Sequence, residues 1–216
     1  VHGRQGGVIP ELYRALAREL ESRRRAPVLL EALTGSPDPM DPRIRKSAAR
    51  SGQLTLVPLL LLPGDHVRRD MPAIASRWRS ALATAVEQGP SPRVRRLPFL
   101  GAWPQWQHHL ADHLARWADG RPWSWLHHPL EGPLAERYLH HLARVLGQPG
   151  RSAATLQPPS TTTLTSERLV HLSLAPNRIS ESLRMERSAA SLELLPPLLE
   201  LPPLREFLLA QLEVLP

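Results

Sequence analysis

Short apolar runs that alternate with helix-period segments constrain this chain more than any other feature. "IPELYRALARELESRRR" places Leu12, Leu16 and Leu20 on one helical stripe, and Pro10 suits a first helical turn. "PVLLEAL" then reads as a short buried strand, followed by the turn-rich "TGSPDPMDP". "PRIRKSAARSG" predicts a short helix, "LTLVPLLLL" a buried strand, and "HVRRDMPAIASRWRSALATAVEQG" a longer helix ended by Gly89. "VRRLPFL" and "WPQWQHHLADHLARWA" repeat the strand and helix once more. Such alternation predicts an α/β fold with a parallel sheet and helices on both faces. Ligands of open sheets of this kind bind just beyond the carboxyl ends of the strands. Two apolar runs break there into polar turns with one histidine each, "VHGRQGG" with His2 and "LTLVPLLLLPGDHVRRDMP" with His66. Val1 is expected to lie inside the first strand.

The second half reads as a copy of the first. "VRRLPFLGAWPQWQHHLADHL" from Val94 aligns without gaps on "LELLPPLLELPPLREFLLAQL" from Leu192, pairing Pro98 with Pro196, Pro104 with Pro202 and Leu110 with Leu208. "LHHPLEGPLAERYLHHLARVLG" similarly matches the N-terminal stretch, with His128 opposite His2 and Gly132 opposite Gly6. "HLSLAPNRISESL" parallels "PLLLLPGDHVRRDM", with Asn177 and Arg178 in the places of Asp65 and His66. A repeat of about 100 residues exceeds the solenoid range and predicts a duplicated lobe. The expected division is an N-terminal lobe over 1–120 that carries the active site and a degenerate C-terminal lobe over 121–216, with the site in the cleft between them.

Composition narrows the function classes. No cysteine is present, which excludes disulfides, thiolate metal sites and cysteine nucleophiles together. No apolar run approaches the roughly 20 residues of a spanning helix, so a cytoplasmic protein without a membrane partner is expected. The net charge is +7, yet only Lys46 of the 27 basic residues is lysine and the arginines are scattered. A small polycarboxylate substrate matches that charge better than nucleic acid does. The chain has no glycine-rich phosphate cradle, and "STTT" and "TSER" read as loop, so nothing points to an ATP-driven enzyme.

"HGR" at the end of a first strand, "LLE" at Leu29 to Glu31 and "VPLLLLPGDHVRRDMP" together resemble the sirohydrochlorin chelatase family. The resemblance is specific over residues 1 to about 115 and loose beyond, and the duplication resembles the long form of the family, in which two related lobes are fused. It implies insertion of Co²⁺ or Fe²⁺ into sirohydrochlorin without ATP, in cobalamin or siroheme biosynthesis. It also implies a monomer with no cofactor beyond the metal substrate. The family's active-site histidines carry over onto His2 and His66, as catalytic groups and metal ligands. Arg4 replaces the serine usual after the first His-Gly. A non-catalytic tetrapyrrole-binding or metal-binding protein of the same fold is the alternative.

The chemistry asks for the same residues. Metal insertion removes two pyrrole N–H protons while a divalent ion enters the ring, and a neutral imidazole can both hold a borderline metal and accept a proton. Glu31 is a candidate third ligand or proton acceptor. Arg4, Arg68, Arg69 and, in the second lobe, Arg178 are candidates for the substrate's carboxylates, which guanidinium binds bidentately. His109 and His113, four residues apart, have zinc-site spacing, and the pairs His127–His128 and His140–His141 invite the same question. Trp103, Trp106, Trp117, Trp123 and Trp125 are expected to pack between the lobes, or to offer a tetrapyrrole stacking surface.

Overall fold

The computed structural model describes residues 1–3, 5–33, 41–84, 90–153, 168–178, 180–182 and 193–216. Gly89, "STTT" and the first three residues of "TSER" lie outside them, whereas Arg168, read as loop from the sequence, opens a strand. The chain forms two compact units, Val1–Gly101 with Leu209–Pro216, and Ala102–Leu208. The division thus falls at Gly101, ahead of the position near 120 expected from the sequence, and the last eight residues return to the first unit.

In the first unit, α1 (Glu11–Arg24) buries Leu16 and Leu20 as its stripe predicts, with Tyr13 joining them. α2 (Pro42–Ser51) starts on Asp41, whose carboxylate accepts the N–H of Arg43 at 2.8 Å. It stops at Gly52, whose φ of 74° suits glycine, and the chain turns straight into β1 (Gln53–Leu56). α3 (Met71–Thr84) crosses to β2 (Arg93–Arg96), which pairs parallel with β1 in the register Thr55 to Arg95. Ile44, Ala48, Trp78 and Leu82 form the core, with Leu54 and Val94 packed against them.

Two expected strands differ. "LTLVPLLLL" is strand only to Leu56, because Pro58 offers no N–H to a ladder. "PVLLEAL" forms no strand: its ladder to the N-terminus is one bridge, Val1 N–H to Glu31 O at 2.8 Å and Leu33 N–H to Val1 O at 3.0 Å. Those two bonds have the slant of a parallel pair. Arg24 donates to the carbonyls of Leu212, Glu213 and Leu215, tying the C-terminal residues into this unit.

The second unit holds a four-stranded parallel sheet in the order β4-β3-β5-β6. Its strands are β3 (Trp123–His127), β4 (Gly150–Ser152), β5 (Arg168–His171) and β6 (Glu193–Leu195). α4 (Pro104–Ala118) and α5 (Pro133–Leu146) pack together, and α6 (Pro202–Glu213) follows β6, its residues from Leu209 on counting with the first unit. The central strand β3 is buried throughout, as parallel strands covered on both faces are. Trp106, Trp123 and Trp125 belong to this unit and are buried. Buried Arg168 is neutralised by Glu193 at 2.8 Å and lies over the Trp117 ring at 4.9 Å.

Each unit carries parallel strand pairs, β1 with β2 in the first and β5 with β6 in the second. The repeat that pairs Leu110 with Leu208 carries Trp106, Leu110 and Leu114 of α4 onto Leu204, Leu208 and Leu212 of α6, all buried.

Gly150 lies opposite Trp125 in the β3–β4 ladder, and a Cβ there would collide with the Trp125 ring. That ring also donates its Nε1–H to Gln148 O at 2.8 Å. Gly150→Ala should therefore cost about 1–3 kcal/mol of stability by overpacking, read as a lower urea midpoint. An unchanged midpoint would show that the ring does not need the space.

Candidate functional site

His2 and His66 meet. Their rings are edge to face, with centroids 4.9 Å apart and planes at 79°. Neither follows a formed strand directly: residues 57–65 carry the chain from β1 to His66, and His2 lies one residue past the Val1 bridge. The polar turn after each apolar run, rather than the strand end itself, delivers the imidazole.

Local backbone explains how His66 is aimed. The N–H groups of Val67 and Arg68 both reach Gly64 O, at 3.1 and 3.3 Å. The turn His66–Asp70 is then wound wide, so that Met71 N–H closes on His66 O five residues back before α3 continues with α spacing. Asp70 faces His66 across that turn, its Oδ2 2.5 Å from His66 Nδ1. An ionised carboxylate only accepts, so in the neutral ring Nδ1 carries the proton and Nε2 the lone pair. His2 is fixed in the same tautomer by a different partner, since its Nδ1 lies 2.9 Å from Gly3 O and a carbonyl also only accepts.

Two imidazoles with Nε2 lone pairs could hold a borderline divalent ion between them. Two nitrogens on one ion at about 2.0–2.1 Å each lie within roughly 4 Å of one another, which a 4.9 Å centroid separation permits. Asp70 is placed as the outer carboxylate that would orient His66 were it to ligate an ion. It was legible as the final Asp of "GDHVRRD" but was not among the candidate residues.

The other candidates divide. Glu31 is not brought to the pair: Arg77 holds its carboxylate, and Trp78 Nε1–H donates to it at 3.3 Å. Among the described residues no group of three or more His, Asp or Glu side chains is placed to hold a metal. Arg68 and Arg69 are exposed and both face Asp65, Arg68 at 2.8 Å and Arg69 at 3.9 Å. Arg4 lies outside the described residues. Arg178 is an exposed helical residue of the second unit, just after Asn177, whose Oδ1 accepts Ser180 N–H at 2.9 Å while Ser180 Oγ accepts Asn177 N–H in return. An apolar cavity of about 330 Å³ opens in the first unit, lined by Leu29, Leu54, Trp78 and others, but neither histidine borders it.

His109 and His141 have partners within the fold. His109 stacks on Phe207 at 4.1 Å and donates to Pro203 O at 3.4 Å, and His141 bonds Gln107 at 2.9 Å. His113 has its pKa lowered, first by burial and then by Arg116 and His109, which disfavours its charged form.

Two solved structures share this fold. One is the sirohydrochlorin chelatase SirB from Bacillus subtilis subspecies spizizenii in complex with cobalt, at 15% identity and TM-score 0.61, covering 98% of this chain and 92% of that one. The other is SirB from Bacillus subtilis with Fe3+, at 14% identity and TM-score 0.61, covering 93% and 87%. No protein-family model and no curated protein sequence matches the chain. The α/β architecture of parallel sheets flanked by helices is thus that of the SirB structures.

If Asp70 orients His66 toward a metal, Asp70→Ala should weaken Co²⁺ binding about 10–100-fold. The pair is partly exposed, with side chains 31% and 43% accessible, so the thermal midpoint should barely move. Titration of the visible Co²⁺ absorption reads the affinity, and an unchanged value would remove Asp70 from the site.

Proposed function

We propose that the chain inserts Co²⁺ or Fe²⁺ into sirohydrochlorin without ATP. The observation that carries this reading is the His2–His66 pair, each ring pinned through Nδ1, in a chain with the SirB fold. In this reading the metal is a substrate that must be released, and two imidazoles hold it less tightly than a closed four-ligand site would.

Each residue then has a task. His66, with Asp70 behind it, gives up the ion to one face of the macrocycle, and the Nε2 lone pair released as that bond breaks accepts a pyrrole proton. The carboxylate stabilises the imidazolium that results. His2 completes the pair and takes the second proton. Arg69 meets a rim carboxylate of the substrate: it is 79% exposed and held only loosely to Asp65, so little is lost when it turns.

A second reading is a protein of the same fold that binds metal or tetrapyrrole without turnover. It is favoured by Glu31, whose carboxylate is committed to Arg77 and Trp78 instead of joining the histidines. Spectrophotometry with excess sirohydrochlorin and Co²⁺ or Fe²⁺ separates the two. The enzyme converts many equivalents above the uncatalysed rate, whereas a binder changes the spectrum by one equivalent and stops. His66→Ala should lower kcat by about 10²–10⁴ if the imidazole is the proton acceptor, with the circular dichroism of the folded chain intact. Near-normal turnover in that variant would refute the assignment.

A further inference from the structure

The second unit has its own imidazoles at the carboxyl edge of its sheet. β3 and β5 are adjacent and parallel, with Leu126 the ladder partner of His171. His171 therefore closes β5 on the face that carries Leu126, Leu169 and Leu194, and His128 stands two residues beyond Leu126. His171 is only 3% exposed, yet its Nδ1 is buried with no hydrogen-bond partner. Ser173, two residues on, is also buried, and its Oγ lacks a partner too. Buried polar groups in native proteins are nearly always satisfied, so two unsatisfied atoms at one sheet edge point to a group that completes them.

The neighbouring side chains indicate which kind. On the face of Leu126, Leu169 and Leu194, the His171 ring presents a buried nitrogen that no protein group occupies, two positions from the register of His128. His128 is exposed, and its Nδ1 lies 3.0 Å from Pro129 O, which assigns that nitrogen the proton and leaves the lone pair on Nε2. His127, the last residue of β3, has its Nδ1 2.8 Å from His128 O and its ring 5.5 Å from Trp125. It lies on the opposite face by strand alternation. An anion would find no cation among these side chains, whereas a borderline divalent ion finds imidazole nitrogen and hydroxyl oxygen.

We propose that the carboxyl edge of the second unit's sheet is a metal site, in which His128 Nε2 and His171 Nδ1 bind a divalent ion such as Co²⁺ or Zn²⁺ and Ser173 Oγ bonds a water on it. The repeat places His128 opposite His2, but the second histidine comes from the end of β5 rather than from the turn that holds His66. The site is therefore a differently built counterpart of the first, independent of the chelatase reading, and able to store or sense the ion.

The test counts Co²⁺ by equilibrium dialysis on the full chain. The His2→Ala/His66→Ala double variant, which removes the first pair, should still bind one equivalent. Adding His128→Ala should lower the affinity of that equivalent at least ten-fold, and because His128 is exposed the chain should remain folded, as checked by circular dichroism. Metal-induced protection of the His171 ring proton resonances, seen without any substitution, should accompany binding. A double variant that binds no Co²⁺, or a triple variant that binds it as well, would overturn the proposal. Failure of the chelatase reading would appear elsewhere, as absent turnover in the unmodified chain with both equivalents of Co²⁺ still bound.

Discussion

Parallel pairing of neighbouring strands governs this molecule. Two parallel strands cannot be joined by a tight hairpin, so each connection must cross the sheet and bring the chain back to the same starting edge. Every carboxyl end consequently arrives at the opposite edge, and the polar turns that leave it collect there. His2, one residue past the Val1 bridge, and His66, on the turn that follows β1, are far apart in sequence and meet at that edge through such turns. The helices that make the crossovers cover the faces, which is why Trp78 and Leu82 of α3 can be buried together with Ile44 and Ala48 of α2.

The site depends on a smaller device set on that edge. A histidine on a turn has several rotamers and two tautomers, and a ligand or base needs one of each. Asp70 selects them for His66 through the widened turn that brings residues 66 and 70 face to face, and the Gly3 carbonyl does so for His2. Asp65, beside His66 in sequence, serves the arginines instead. One acidic residue thus orients His66 while its neighbour pairs with the arginines.

Helix positions were legible because a repeating stripe reports burial directly: Leu16 and Leu20 in α1, and Leu110 and Leu114 in α4, are buried as their spacing requires. The repeat was legible too, since aligned positions recur in order and the buried stripe of α6 follows that of α4. Strand existence was less so. An apolar run such as "PVLLEAL" is compatible with a strand, but a ladder needs partners, and Val1 alone supplies one bridge. The limit at Gly101 escaped because α4 follows β2 in sequence yet packs with α5. In the site, motif spacing identified both histidines. It could not show that Glu31 would turn to Arg77 and Trp78, since that choice depends on helix α3 packing beside it.

The central claim is that His2 and His66 are a matched pair of Nε2 donors facing one ion. Long-range ¹H–¹⁵N correlation of the imidazoles in the ¹⁵N-labelled protein tests it directly, because each ring nitrogen reports whether it carries a proton. At pH 7.5 both rings should show a protonated Nδ1 and a bare Nε2, and one equivalent of Zn²⁺ bound at this pair should shift the two Nε2 signals together. A protonated Nε2 on either ring, or a shift confined to one of them, would contradict the account.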